Sequence, residues 1–153
     1  MEQSLPVQGQ LADLSFATWR VHNHTWQTRW VQHCTGTAVL HCTVRVGDWV
    51  LHVDDKISGW YPARSITRIY PQTYELVDNI YLGKVPTNIQ EPLPGNAWSI
   101  IRWRYLFGPT PQGCTTICAT ALRQHGIELE PDLVFLSDIV RNFDDCTRIQ
   151  WEG

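Results

Sequence analysis

Two alternating segments meet at Gly47-Asp48, and that junction constrains the fold more than any other stretch of the chain. TAVLHCTVRV runs from Thr37 to Val46, and WVLHVDD begins at Trp49. A Gly-Asp pair between period-2 apolar runs is a hairpin signal, because glycine supplies the positive φ that a tight turn between right-twisted strands requires. With a two-residue turn, Val46 faces Trp49. Counting outwards, Thr43 faces His52 and His41 faces Asp54. Side chains alternate between faces, so His41, Thr43, His52 and Asp54 share one face. His41 and His52 become diagonal neighbours within reach of ring contact.

Strand patterns dominate the first two thirds of the chain. FATWRVHN from Phe16 and TWQTRWVQ from Thr25 alternate bulky and polar residues around Asn23-His24 and read as strands. Residues 1–15 read as an N-terminal arm on a single domain spanning 1–153. TRIYPQTYELVDNIYLG, from Thr67, reads as strand and loop, with Pro71 keeping its middle out of a central strand. Residues 84–97 carry Pro86, Pro92, Pro94 and Gly95 and read as an ordered loop. WSIIRWRYLF, from Trp98, reads as a further strand. The character then changes. After Pro109, Pro111 and Gly113 comes CTTICATALRQHGI, with Ile117, Ala121 and Leu122 at helical spacing and Gly126 at the position that ends a helix in a left-handed residue. Ser137 is placed to cap a second short helix, DIVRNF. Strands first and one clear helix later predict an α+β domain.

Composition sets the outer limits. A chain of 153 residues with 43% hydrophobic residues can bury one core. That excludes a disordered tail or a coiled coil. A net charge of −3 argues against nucleic-acid binding, which needs a basic surplus. No apolar run approaches the roughly 20 residues of a membrane helix. The first residues have neither a charged n-region nor an apolar h-region, so no secretory signal is expected and the chain is cytoplasmic at synthesis. The five cysteines are odd in number and form no CxxC pair, which speaks against a disulfide framework. His33-Cys34 and His41-Cys42 are His-Cys doublets, but neighbours on a strand point to opposite faces and each doublet offers one ligand at most. Half-buried strand residues explain them better than zinc, and no metal or organic cofactor is expected. The eight Trp suit core packing first, and a glycan groove or protein interface second. His22 and His24 read as surface residues. His125, before a helix-ending Gly, reads as a structural residue whose positive charge suits the helix dipole.

Cys114 is the residue most suggestive of chemistry. A thiol in the first turn of a helix lies at the positive end of the macrodipole, facing unpaired backbone N–H groups. Both favour thiolate, and the same N–H groups can bind an oxyanion. A small buried hydrophobe at a helix start has the same position, so Cys114 alone decides nothing. Together with His41 and His52 it makes the set that a thiolate–imidazole site needs.

These residues also resemble a known family. His41-Cys-Thr-Val-Arg-Val-Gly47-Asp48-Trp-Val-Leu-His52 is similar to the strand–turn–strand of the NlpC/P60 cysteine hydrolases, one residue shorter at the turn. Gly113-Cys114-Thr-Thr-Ile-Cys-Ala-Thr-Ala-Leu-Arg-Gln-His-Gly126 resembles their nucleophile helix, and Pro131-Asp-Leu-Val-Phe-Leu-Ser137-Asp resembles the stretch that trails it in permuted members. His41 precedes Cys114, the reverse of the standard order. This matches the circularly permuted, papain-like branch with YiiX-like and lecithin:retinol acyltransferase-like proteins. The Asn-Cys-Glu-His box of the acyltransferases is absent. The resemblance covers residues 37–54 and 112–141, under half the chain, and extends to bacteriophage tail-associated peptidases.

The resemblance implies a papain-like α+β fold, an antiparallel sheet or half-barrel packed against the nucleophile helix. It implies Cys114 as nucleophile and His41 as base, with His52 or, as the directly opposed residue, Asp54 orienting the base. The Cys114 N–H supplies one oxyanion donor. Gln112 is a candidate for another, though a solvated loop position explains it equally. The Tyr that assists in standard members has no counterpart by motif. The expected reaction is hydrolysis of an amide bond in peptidoglycan peptides. The alternatives are a non-catalytic docking subunit of a phage tail, partnered by other virion proteins, and thioester or lipid acyl transfer. None of these readings calls for a membrane or nucleic-acid partner.

Overall fold

The structure is a computed structural model that describes residues 8–21, 26, 29–30, 33, 39–53, 58–66, 74–90, 114–129 and 136–151. Five strands, β1 (Leu11–Val21), β2 (Val39–Val46), β3 (Trp49–Val53), β4 (Ser58–Pro62) and β5 (Tyr74–Pro86), form one antiparallel sheet in the order β4-β3-β2-β1-β5. Helix α1 (Ala63–Ile66) follows β4, while α2 (Cys114–Gln124) and α3 (Leu136–Arg141) come after these five strands. The domain is therefore α+β, as strands-then-helices predicts. Among the described residues no helix is long and apolar enough to cross a membrane.

The hairpin register is the expected one. Val46 pairs with Trp49, Arg45 with Val50 and Val44 with Leu51. Gly47 holds φ +57°, and the turn is anchored on three sides. The Gly47 N–H donates to the Asp13 carbonyl at 2.9 Å and the Ala63 N–H to the Asp48 carbonyl at 2.7 Å, while Arg45 Nε donates to the Gly47 carbonyl at 3.0 Å. A turn tied to both β1 and α1 leaves little room for a register slip.

The sheet is covered on both faces. On one, Leu14, Phe16, Cys42, Val44, Leu51 and Ile80 pack against Ile117, Cys118, Ala121 and Leu122 of α2 and against Ile139 and Phe143 of and after α3. On the other, Ala17, Trp19 and Val50 pack with Ala63, Ile66, Tyr61, Tyr74 and Trp151. Helix α2 ends as its sequence predicts. Gly126, at φ +87°, donates its N–H to the Arg123 carbonyl, and the Ile127 N–H reaches the Leu122 carbonyl. These are the two bonds of a Schellman cap, completed by Leu122 and Ile127 in the same apolar cluster.

Several expectations are corrected. Strand β1 begins at Leu11, inside the expected arm, and Leu14 and Ser15 are buried. Ala12, Leu14 and Phe16 alternate with Asp13 and Ser15, a period-2 pattern that the polar residues obscured. Trp26, Arg29, Trp30 and His33 are helical, not strand. They fall at i, i+3, i+4 and i+7, the helical period, while the two Trp alone, four apart, suit either period; Trp30 and His33 sit with ring centroids 5.9 Å apart. Helix α3 starts at Leu136, so Ser137 lies inside it rather than at its cap. Strand β5 runs through Lys84 to Pro86, where a loop is expected. Pro86 fits because β5 is an edge strand. The expected strand at 98–107 lies outside the described residues.

Candidate functional site

The hairpin carries the candidate site. Continuing its register by one and two residues sets Thr43 opposite His52 and brings His41 diagonal to it. The two imidazoles have ring centroids 5.4 Å apart, tilted at 55°. Both are buried, His41 at 5% and His52 at 9% exposure, unusual for residues that carry two polar nitrogens.

Aromatic rings surround the pair. Tyr74, the first residue of β5, stacks on His41 at 4.4 Å with the rings 5° from parallel. Tyr61 of β4 stands edge-on to His52 at 6.4 Å. Trp19 pairs with His41 across β1–β2 and donates its indole N–H to the Thr43 hydroxyl at 3.2 Å. Trp151 meets Trp19 edge-to-face at 4.8 Å. The result is a layer of imidazole, phenol and indole, buried at Trp19, His41 and His52 and half-buried at Tyr61, Tyr74 and Trp151, flat enough for stacking and supplied with polar tips. Tyr74, Tyr61 and Trp151 carry no sequence signal for this role. They arrive through the β1–β5 and β3–β4 pairings and through the C-terminal segment, and none of these is legible from local pattern.

Cys114 is the first residue of α2, as expected of a helix-start thiol. The body of that helix lies on the other face. Cys118, one turn further on, is fully buried and directs its Sγ to the Cys42 carbonyl oxygen at 3.7 Å. Cys42 and His41 are sequence neighbours on β2 and point to opposite sides of the sheet, as the doublet reasoning requires. The histidine pair and the helix that Cys114 opens therefore approach the sheet from opposite faces. Asp54 and Gln112 lie outside the described residues, as does the Cys114 side chain.

His125 is structural, as expected, but not as a helix-end cation. It is buried, not exposed as a helix-end cation would be, and burial lowers its pKa, with the Ala121 carbonyl partly opposing the shift. Its ring nitrogens bond the Asn88 N–H at 3.0 Å and the Ala121 carbonyl at 2.7 Å.

No protein-family model, curated protein or solved structure matches the chain.

Proposed function

We propose that the chain is a permuted papain-like domain acting as a docking or structural subunit, with another tail protein of a virion as its partner. One observation carries this reading: α2 packs on the Cys42 face of the sheet, and His41 and His52 belong to the opposite face. A nucleophile and its general base must approach within about 3 Å. Layers packed on a sheet stand about 10 Å from it on each side. The exposed Trp26 (67%) and Trp30 (46%) also favour docking, since Trp is enriched at protein interfaces.

A second reading has its own support. Cys114 opens an 11-residue helix, and the His41–His52 pair forms in the register a hydrolase needs. In that reading Cys114 attacks an amide carbonyl of a peptidoglycan peptide. His41 takes the thiol proton and returns it to the leaving amine, His52 or Asp54 orients His41, and water releases the acyl group. Thioester or lipid acyl transfer uses the same nucleophile.

The test is the pH dependence of iodoacetamide alkylation at Cys114, read by mass spectrometry on wild type and on His41→Ala. A helix start can lower a thiol pKa by itself, so the comparison between the two proteins decides. The docking reading expects the same Cys114 profile in both. A profile well below the ordinary thiol value of about 8.5 that moves up in His41→Ala overturns it in favour of the hydrolase.

A further inference from the structure

We propose that His125 is a proton-released latch that holds residues 87–90 against the C-terminal end of α2 only while its imidazole is neutral. The inference stands apart from either reading of Cys114.

The bonding fixes the tautomer. The Asn88 backbone N–H can only donate, and it points at His125 Nε2 at 3.0 Å. Nε2 must therefore carry a lone pair, and the proton sits on Nδ1, which donates to the Ala121 carbonyl at 2.7 Å. A second proton on the ring would place N–H against N–H at Asn88. The Ala121 bond survives protonation and the Asn88 bond does not. Three further contacts depend on the same approach. Asn88 Nδ2 donates to the Gln124 carbonyl at 3.2 Å, Gln124 Nε2 donates to Gln90 Oε1 at 3.2 Å, and Trp60 Nε1 donates to the Gln90 carbonyl at 3.0 Å.

Among the described residues, no opposite charge contributes to stabilising a charged ring. The elements packed on it contribute Trp60 from β4, with ring centroids 6.3 Å apart, and Asn88 from the 87–90 stretch, both uncharged. On its own side, Arg123 and Glu128 are the nearest charged residues in sequence, and neither contributes to the shift of the ring. Burial is the cause that favours the neutral form.

The release is one-sided. Residues 87–89 are also held from the N-terminal side. Thr87 N–H and hydroxyl both donate to the Gln10 carbonyl, and Gln8 exchanges two hydrogen bonds with the Ile89 backbone at 2.8 and 3.0 Å. These bonds contain no titratable group. Protonation thus breaks the Asn88–His125 bond and loosens the stretch on the α2 side, while its ties to the start of β1 are unaffected.

Amide hydrogen exchange on the full chain between pH 7.5 and 5 tests this, after correction for intrinsic exchange. The Asn88 amide is expected to lose protection by about tenfold per pH unit below the ring's pKa, as one-proton linkage requires, while Thr87 and Ile89 stay protected. His125→Gln is expected to abolish that pH response. Unchanged protection at Asn88 in wild type, or the same response in His125→Gln, overturns the proposal. If the variant does not fold, ring ¹⁵N shifts of the wild type decide. An Nδ1–H tautomer that titrates below 6.5 supports the latch, and a ring already charged at pH 7 refutes it.

Discussion

His41 lies flat on Tyr74, with centroids 4.4 Å apart and planes within 5° of parallel. The two residues belong to a central and an edge strand, with β1 between them. The stack therefore reports that β5 has docked in register on β1. Replacing Tyr74 with Leu keeps apolar area but removes the stack and is expected to cost about 0.5–1.5 kcal/mol. Urea denaturation of wild type and Tyr74→Leu measures it, and a double-mutant cycle with His41→Leu should return a coupling of similar size.

Gly47 and Gly126 both hold positive φ, but their surroundings differ. A Cβ on Gly47 would meet the Ala12 Cβ at 3.3 Å, whereas a Cβ on Gly126 meets nothing within 4 Å. Gly126→Ala is expected to cost about 1 kcal/mol from backbone strain alone. Gly47→Ala should cost more, because the turn must also shift against β1. Thermal melts of the two variants rank them, and equal losses would show that the Ala12 contact yields freely.

Thr18 is 1% exposed, and its hydroxyl has no hydrogen-bond partner among the described residues. An unsatisfied buried hydroxyl carries a desolvation cost of about 1–3 kcal/mol. Thr18→Val keeps the branched shape and removes the cost, so the variant is expected to be more stable by about 1 kcal/mol. A lower denaturation midpoint would mean that the hydroxyl finds a partner in solution.

Leu122 is fully buried between α2 and the sheet and also seals the Schellman cap. Leu122→Ala should cost about 2–5 kcal/mol by opening a cavity, enough to threaten folding of a marginal domain. Leu122→Met, close in volume, is the control and should cost under about 1.5 kcal/mol.

The pH dependence of stability follows from His125. Its folded pKa lies below the ordinary value of 6.5, so the unfolded chain binds the proton more readily. The contribution of a neutral His125 is complete above 6.5 and is lost as pH falls from 6.5 towards the folded value. Denaturation midpoints measured from pH 8 to 5 should fall in that window, and His125→Gln should flatten the fall.

The hairpin was the most legible part of the chain. Gly47-Asp48 specified a turn, the turn specified a register, and the register placed His41 beside His52. Helix α2 and its glycine cap were equally legible, because their signals are local. The ring layer was not. Tyr74 reaches His41 through a pairing between strands more than fifty residues apart, and no local period encodes that. The face on which α2 packs was also hidden. Its apolar stripe would suit either side of the sheet, and the residues of β2 and β3 alternate in polarity too weakly to choose, with histidine buried on one side and cysteine on the other.

Strand order has a consequence for the nascent chain. β2, β3 and β4 are joined in sequence order as a meander, so their pairing closes only short loops and can form early. β1 sits between β2 and β5, and its outer edge waits for β5, the last of these five strands in sequence. Until Tyr74–Pro86 has been synthesised and docked, Leu11–Val21 presents an open row of backbone donors and acceptors, a template for any extended chain nearby. The interval between synthesis of β4 and docking of β5 is when this chain is most exposed to mispairing, and a slow-translating stretch placed there would lengthen it.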